Sequence, residues 1–336
     1  MTNELRPRVA ILGAGAMGTL FAYRLAARCD VTLVDVRGDV VETINEHGVQ
    51  VDDEEPRRVI ATQDPARAFA TNYLFLFVKA PNTLSAIRPF AGKLNPATPI
   101  VSLQNGLGNE EAIKTALGGT VPLVIGITNE AALAVGHGRS RRQGVGVTVV
   151  GSAGASTATV RAVGDLVENA GLSCRVAYDI RPQLWGKLLA NAAINPISAL
   201  ADAKNGIVAS DPDAAELARA VALEGAAVAR ALRVNLPFGD AWEYVRGVVA
   251  TSADDRNSMT VDLGARMKTE IDQVNGAIVA AGRRLGIATP YNDALEAFCD
   301  AATAGGFVKP TDRAGVTFGA DLDALIDGLV AATRTP

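Results

Sequence analysis

Near the N-terminus, RVAIL (residues 8–12) runs without a break into GAGAMG (residues 13–18). A β-rich apolar run that meets closely spaced glycines and then a helix-forming stretch has few folded solutions. Gly13 permits a tight turn, Gly15 lets backbone approach a ligand, and Gly18 allows a helix to pack closely on the preceding strand. The N-terminus of that helix offers N–H groups and the positive end of its dipole, a setting for a pyrophosphate. An acidic residue, Asp35, closes VTLVD 22 positions after Gly13. Gly13, Ala14, Gly15, Ala16, Met17, Gly18 and Asp35 together therefore point to a dinucleotide site rather than to a chance cluster of glycines. A carboxylate at Asp35 accepts from the ribose hydroxyls and repels a 2′-phosphate, which favours NADH. Arg37, two residues on, is placed to clamp a 2′-phosphate instead, so NAD(P)H is the expected cofactor with NADH slightly favoured.

The rest of the chain extends this beginning. Helix-like residues 16–28 and 40–47 alternate with strand-like VTLVD, YLFLFVK from Tyr73, IVSLQ from Ile100 and VPLVIGI from Val121. Such runs, apolar on both faces and separated by helices, predict a parallel sheet covered by crossover helices. Residues 136–151 read as irregular strands or hairpins, 157–170 as a helix and CRVAY from Cys174 as the closing strand. After Asp179 strand-like runs give way to Ala-rich helical patterns up to Cys299; residues 305–319 read as a loop and DLDALIDGLVAA as an amphipathic helix. The expected fold class is α/β: an N-terminal Rossmann-type parallel-sheet domain over residues 1–178, then an all-α substrate and catalytic domain over 179–336. A chain of 336 residues is long enough for two cores.

Composition removes several function classes. The balance of 32 basic and 36 acidic residues, with no long basic run, argues against a nucleic-acid partner. Three cysteines, far apart and without CxxC spacing, indicate neither a disulfide framework nor a zinc site, so no metal is expected. No apolar run approaches the roughly 20 residues of a membrane span, and the chain enters its first strand too early for a signal peptide, so a cytoplasmic location is expected. The sequence is compatible with a homodimer without requiring one.

Hydride transfer to a carbonyl needs a nearby acid to protonate the developing alkoxide. The two histidines, His47 and His137, fall at a helix end and in GHGR, where ordinary surface roles suit them. No tyrosine has lysine four residues later, which removes the tyrosine–lysine pair of short-chain dehydrogenases. In LWGKLLANAAINPISAL, however, Lys187, Asn191 and Asn195 recur every four residues in an otherwise apolar segment. That spacing places them on one helical face. A solvated stripe is the plain reading; the functional one is a desolvated lysine with lowered pKa beside amides that orient a carboxylate or hydroxyl. A second set at the same interval, Ser258, Asp262, Arg266 and Glu270, predicts another helical stripe, with Asp262 and Arg266 as an ion pair on the helix face and Ser258 and Glu270 turned to the site.

With these motifs in place, the chain resembles the ketopantoate reductase family (2-dehydropantoate 2-reductases). The resemblance rests on GAGAMG, VKA at Val78, LQNGLGN at Leu103, DIRPQLWGKLLANAAINPISAL from Asp179 and SMTVDLGARMKTEID from Ser258. It implies a Rossmann domain followed by a helical domain like that of 6-phosphogluconate dehydrogenases, with the active site between them. It implies reduction of a 2-oxo acid, 2-dehydropantoate to pantoate, in pantothenate biosynthesis, and a small-molecule substrate as the partner. Lys187 becomes the catalytic acid, and Glu270 holds substrate, cofactor and lysine in place. Asn105 contacts the cofactor and orients the lysine, and Lys79 and Ala132 contact the cofactor. Asn191, Asn195, Asn205 and Ser258 bind the substrate. Asp255 stands where the family commonly has asparagine, and Asp35 precedes the displaced Arg37; both leave room for an alternative, an NAD-dependent D-2-hydroxyacid dehydrogenase of the same family acting on bulkier 2-oxo acids. A β-hydroxyacid dehydrogenase would need a glycine-rich substrate loop that is not found, and a sensor without turnover would not need the lysine.

Overall fold

The computed structural model describes residues 6–118 and 121–304. The loop and amphipathic helix expected after residue 304 lie outside the described residues. The chain divides into two compact units, Met1–Ile180 and Arg181–Pro336.

The first unit carries eleven described strands: β1 (Arg8–Leu12), β2 (Asp30–Val34), β3 (Gln50–Val51), β4 (Ile60–Thr62), β5 (Tyr73–Leu76), β6 (Ile100–Ser102), β7 (Leu123–Thr128), β8 (Ala131–Gly136), β9 (Arg139–Gly144), β10 (Thr148–Ser152) and β11 (Cys174–Val176). The main sheet has the order β11-β10-β7-β6-β5-β1-β2-β4. Its neighbours are parallel except β10, which runs antiparallel to β7. Successive side chains of a strand point to opposite faces. In β1, accordingly, Val9 and Ile11 join one core cluster while Ala10 and Leu12 join another. Both faces of β1 are buried, which is why its run shows no polar alternation. The helices of this unit are α1 (Ala16–Leu25), α2 (Gly38–His47), α3 (Thr83–Ile87), α4 (Asn109–Leu117) and α5 (Thr157–Asn169).

Three details differ from the sequence reading. Helix α1 stops at Leu25 rather than Arg28, because the N–H groups of Ala27 and Arg28 bond the carbonyls three residues back, Arg24 and Leu25, at 3.3 and 3.0 Å, and β2 begins at Asp30. The glycine-rich stretch holds a hairpin, β8–β9, that starts at Ala131 and has two register shifts, followed by the antiparallel strand β10. Helix α4 and the short strands β3 and β4 were not visible as periodic segments.

The second unit is helical throughout its described part: α6 (Arg181–Leu200), α7 (Ile207–Ser210), α8 (Pro212–Ala231), α9 (Ala241–Ser252), α10 (Ser258–Gly264), α11 (Asn275–Leu285) and α12 (Pro290–Thr303). Small residues let α8 lie close to α6; a Cβ at Gly225 would sit 2.2 Å from Leu189 Cδ2. Pro196 lies inside α6 and has no N–H for the Ala192 carbonyl. That carbonyl accepts instead from Asn275 Nδ2 at 3.1 Å, and Asn275 Nδ2 also reaches Asn292 Oδ1 at 3.1 Å. The Glu224 carboxylate then caps α12, accepting from the N–H groups of Tyr291 and Asn292 at 3.0 Å each and from Asn292 Nδ2 at 2.7 Å. Burial raises the Glu224 carboxyl above its ordinary range, against the pull of those three hydrogen bonds.

Candidate active site

In the first unit, the glycine turn, Asp35, Arg37, Lys79 and Asn105 follow the C-terminal ends of parallel strands, where open α/β sheets bind ligands. Gly13 adopts φ +97°, and a Cβ there would sit 2.9 Å from Val78 N, so the glycine turn presses against the segment that follows β5. A Cβ at Gly18 would lie 1.9 Å from the Gly13 carbonyl oxygen. Nothing stands within 4 Å of a Cβ built on Gly15, which leaves open space over the cap of α1. Gly15 brings no side-chain acceptor to that cap. Ala16 and Met17 open α1 and are half-buried. The loop thus has the open backbone cradle that a pyrophosphate requires.

Asp35 follows β2 and is 9% exposed. Its Oδ2 accepts from Ala14 N–H at 2.8 Å, and its Oδ1 accepts from Arg37 N–H at 3.0 Å. The Arg37 guanidinium closes a two-pronged contact with the same carboxylate, Nε to Oδ1 at 3.0 Å and Nη2 to Oδ2 at 3.2 Å. Burial alone would raise the Asp35 carboxyl; the hydrogen bonds from Arg37 and Ala14 outweigh it and hold the group below its ordinary value. The two residues read from sequence as rivals for the ribose are bonded to each other.

Lys79 caps a short 3-10 turn, Ala80–Asn82, after β5. Asn105 lies between β6 and α4, and its carbonyl accepts from Asn109 Nδ2 at 3.0 Å. Ala132 sits in β8 opposite Arg142, whose guanidinium grips the buried Glu130 carboxylate at 2.7 and 2.8 Å.

In the second unit, α6 sorts its residues sharply. Every residue from 185 to 200 is buried except Lys187, Asn191 and Asn195, which are half-buried. From Trp185 onward the four-residue spacing leaves a single polar stripe in a helix otherwise enclosed by packing. Desolvation drives the Lys187 ammonium down to about 8, against the opposing charge of Glu270, which favours the protonated form. The lysine keeps some exposed surface as a residue, yet the loss of hydration at its charged end is the larger effect.

The second stripe is corrected by the structure. Helix α10 ends at Gly264, and Arg266 takes left-handed φ +55° beyond it. Met267 N–H closes the turn onto the Asp262 carbonyl at 2.8 Å, and Arg266 N–H bonds the Leu263 carbonyl at 3.0 Å, the pattern of a Schellman motif. Asp262 is buried and Arg266 exposed, so the helical register expected to pair them does not exist. Glu270 instead leads a 3-10 turn, Ile271–Gln273. At the other end of α10, Ser258 is exposed, and Asn257 caps the helix by accepting from Thr260 N–H at 3.0 Å. Asn257 Nδ2 donates to Asn205 Oδ1 at 2.8 Å, and Asn205 N–H donates to the Asp255 carbonyl at 2.9 Å. Asn205, Asp255 and Ser258 thus come together through backbone and through Asn257. The sequence reading missed Asn257; an asparagine directly before a helical run was its signal.

Among the described residues, no helix is long and apolar enough to cross a membrane. Two family models match the chain: Ketopantoate reductase PanE/ApbA over residues 9–155, and Ketopantoate reductase PanE/ApbA C terminal over residues 179–302. A 2-dehydropantoate 2-reductase from Pyrobaculum aerophilum is 35% identical, over 85% of this chain and 94% of its own length. A solved ketopantoate reductase of the PanE/ApbA family from Ralstonia eutropha JMP134 superposes with a TM-score of 0.82 at 29% identity, covering 89% of this chain and 99% of the other. A D-mandelate dehydrogenase solved in complex with NADH gives a TM-score of 0.81 at 25% identity, with the same coverage of each chain. The two matched segments follow the two compact units, the glycine turn in one and the Lys187 stripe in the other, and this chain belongs to the ketopantoate reductase family of oxidoreductases.

Proposed function

We propose that the chain is a cytoplasmic, nicotinamide-dependent reductase of a 2-oxo acid, with 2-dehydropantoate as substrate and pantoate as product. The observation that carries this reading is α6, enclosed by packing at every position from 185 to 200 except Lys187, Asn191 and Asn195. The substrate comes from the relatives' name.

The nicotinamide supplies the hydride when it is bound. Gly13, Ala14, Gly15, Ala16, Met17 and Gly18 receive the pyrophosphate, Asp35 and Arg37 face the adenosine ribose, and Lys79, Asn105, Ala132 and Glu270 complete the contacts. Lys187 holds the proton and gives it from Nζ to the substrate's carbonyl oxygen as negative charge develops there. Glu270 keeps enough positive charge on Lys187 for that task near neutral pH. Asn191, Asn195, Asn205, Asp255 and Ser258 hold the carboxylate and hydroxyl ends of the acid. Only one carbon is reduced, and the proton is the only group the protein itself transfers.

The cofactor preference proposed is a narrow one for NADH. Arg37 must give up two hydrogen bonds to Asp35 before it can turn to a 2′-phosphate, and doing so uncovers the carboxylate beside that phosphate. The second reading, an NAD-dependent D-2-hydroxyacid dehydrogenase for bulkier acids, is favoured by this same Asp35 geometry and by the likeness to the D-mandelate dehydrogenase.

A panel of 2-oxo acids assayed with NADH and with NADPH tests both. The expected result is the highest kcat/KM with 2-dehydropantoate and a few-fold preference for NADH. Asp35→Ala should lower that preference and Arg37→Ala should raise it. A clear preference of the unmodified protein for NADPH refutes the reading of Asp35, and a bulky aromatic acid outpacing 2-dehydropantoate moves the assignment to the second reading.

A further inference from the structure

Behind the two first-unit loops assigned to the cofactor runs a chain of buried polar side chains that the proposed reaction does not use. The Ser102 hydroxyl donates to Gln104 Oε1 at 2.9 Å. Gln104 Nε2 donates both to the Val78 carbonyl and to Thr83 Oγ1, at 2.7 Å each. The Thr83 hydroxyl donates onward to Asn109 Oδ1 at 3.1 Å, and Asn109 Nδ2 donates to the Asn105 carbonyl at 3.0 Å. All four side chains belong to residues no more than 8% exposed.

The direction of every bond in this chain is fixed by its ends. A backbone carbonyl only accepts, so the amide nitrogen of Gln104 must face Val78 and its oxygen must face Ser102. The single proton of Thr83, which accepts from Gln104, must then go to Asn109 Oδ1, and this turns the Asn109 nitrogen toward Asn105. The peptide plane held at one end is the one that joins Val78 to Lys79, and Gly13 is pressed against the peptide just before it, Phe77–Val78. At the other end is Asn105. A buried network with every partner satisfied is rigid, and loss of one member leaves the others unpaired in a place water cannot serve.

Resting on the function proposed above, we infer that Gln104, Thr83 and Asn109 are positioning residues that fix the spacing of Lys79 and Asn105 around the cofactor. They touch neither substrate nor cofactor and act through the two backbone carbonyls.

The test measures the dissociation constants of NADH and NADPH by nicotinamide fluorescence, kcat and KM for the oxo acid, and the melting midpoint. Thr83→Val keeps the shape and removes the hydroxyl; Thr83→Ser keeps the hydroxyl. At a temperature where each variant is folded, Thr83→Val is expected to weaken cofactor binding by about tenfold or more, with Thr83→Ser within about twofold of the parent. Gln104→Glu places an acceptor against the Val78 carbonyl, so its cofactor affinity should improve as pH is lowered from about 8 to about 6 and the new carboxyl gains a proton, a trend the parent should not show. If Thr83→Val does not fold, the pH trend of Gln104→Glu decides. A lowered melting midpoint with affinity, kcat and KM unchanged, or a Gln104→Glu variant without that trend, overturns the inference and leaves the proposed function standing. An unmodified protein that binds neither cofactor overturns both.

Discussion

Lys187 carries a conflict between folding and catalysis. Its ammonium is held down to about 8 by desolvation, while an unfolded lysine titrates near its ordinary value. Reduction needs the protonated form, so kcat/KM for the oxo acid should be level below about pH 8 and fall about tenfold per unit above it. The reverse oxidation needs the neutral amine and should rise over the same range. Lys187→Met should remove about 10² to 10⁴ of the rate and leave cofactor affinity in place. The same substitution should stabilise the fold. Below about pH 8 the lysine is charged in both states and its burial cost is fully present; between there and about 10.5 the folded chain sheds the proton first, and the cost fades. The gain from Lys187→Met should therefore be about 1–3 kcal/mol near pH 7 and much smaller at pH 10, read from melting midpoints at the two pH values. An equal gain at both would mean that packing, not charge, sets it.

The elements show the same division between what is buried and what is used. In α6 the Ala192 carbonyl, left open by Pro196, depends on Asn275. Asn275→Ala should cost about 1–3 kcal/mol in denaturant unfolding, because a buried acceptor loses its donor. With Pro196→Ala already in place, the helix N–H can reclaim that carbonyl, and the cost of Asn275→Ala should shrink by about 0.5–1.5 kcal/mol; strict additivity would show that the two groups do not serve one acceptor. The α6 stripe was legible in sequence because three polar letters at one interval stood in an otherwise apolar run. The stripe through Glu270 was not, because the interval of four continues past the point where the helix stops. Arg266 occupies the left-handed position that glycine usually marks, so no letter announced the end. Strand β10 falls in the stretch read as irregular strands or hairpins; its direction is set by pairing with β7, which local pattern does not encode. Strands β3 and β4, two and three residues long, are too short for a period to show. Gln104 and Thr83 were passed over because the bond that joins them spans 21 residues and no local pattern announces it.

At the scale of the whole molecule, each compact unit has its own buried core, and the cofactor loops belong to the first. A ligand that binds only the folded state stabilises it most where it docks. Hydrogen exchange with and without NADH should therefore show added protection at residues 13–18, 78–83 and 104–109, with little change along α8. Protection spread evenly over the chain, or confined to the helical unit, would contradict the assignment of the glycine turn. The enclosure of α6 has a further consequence for how such a protein changes over time or in the hands of an engineer. Thirteen of sixteen neighbouring letters are held by packing. Once the lysine is kept, Asn191 and Asn195 are the two places between Trp185 and Leu200 that packing leaves open. A lineage drifting toward a new acid meets least resistance from packing at those two codons, and a library randomised at that pair samples the variety left open between Trp185 and Leu200.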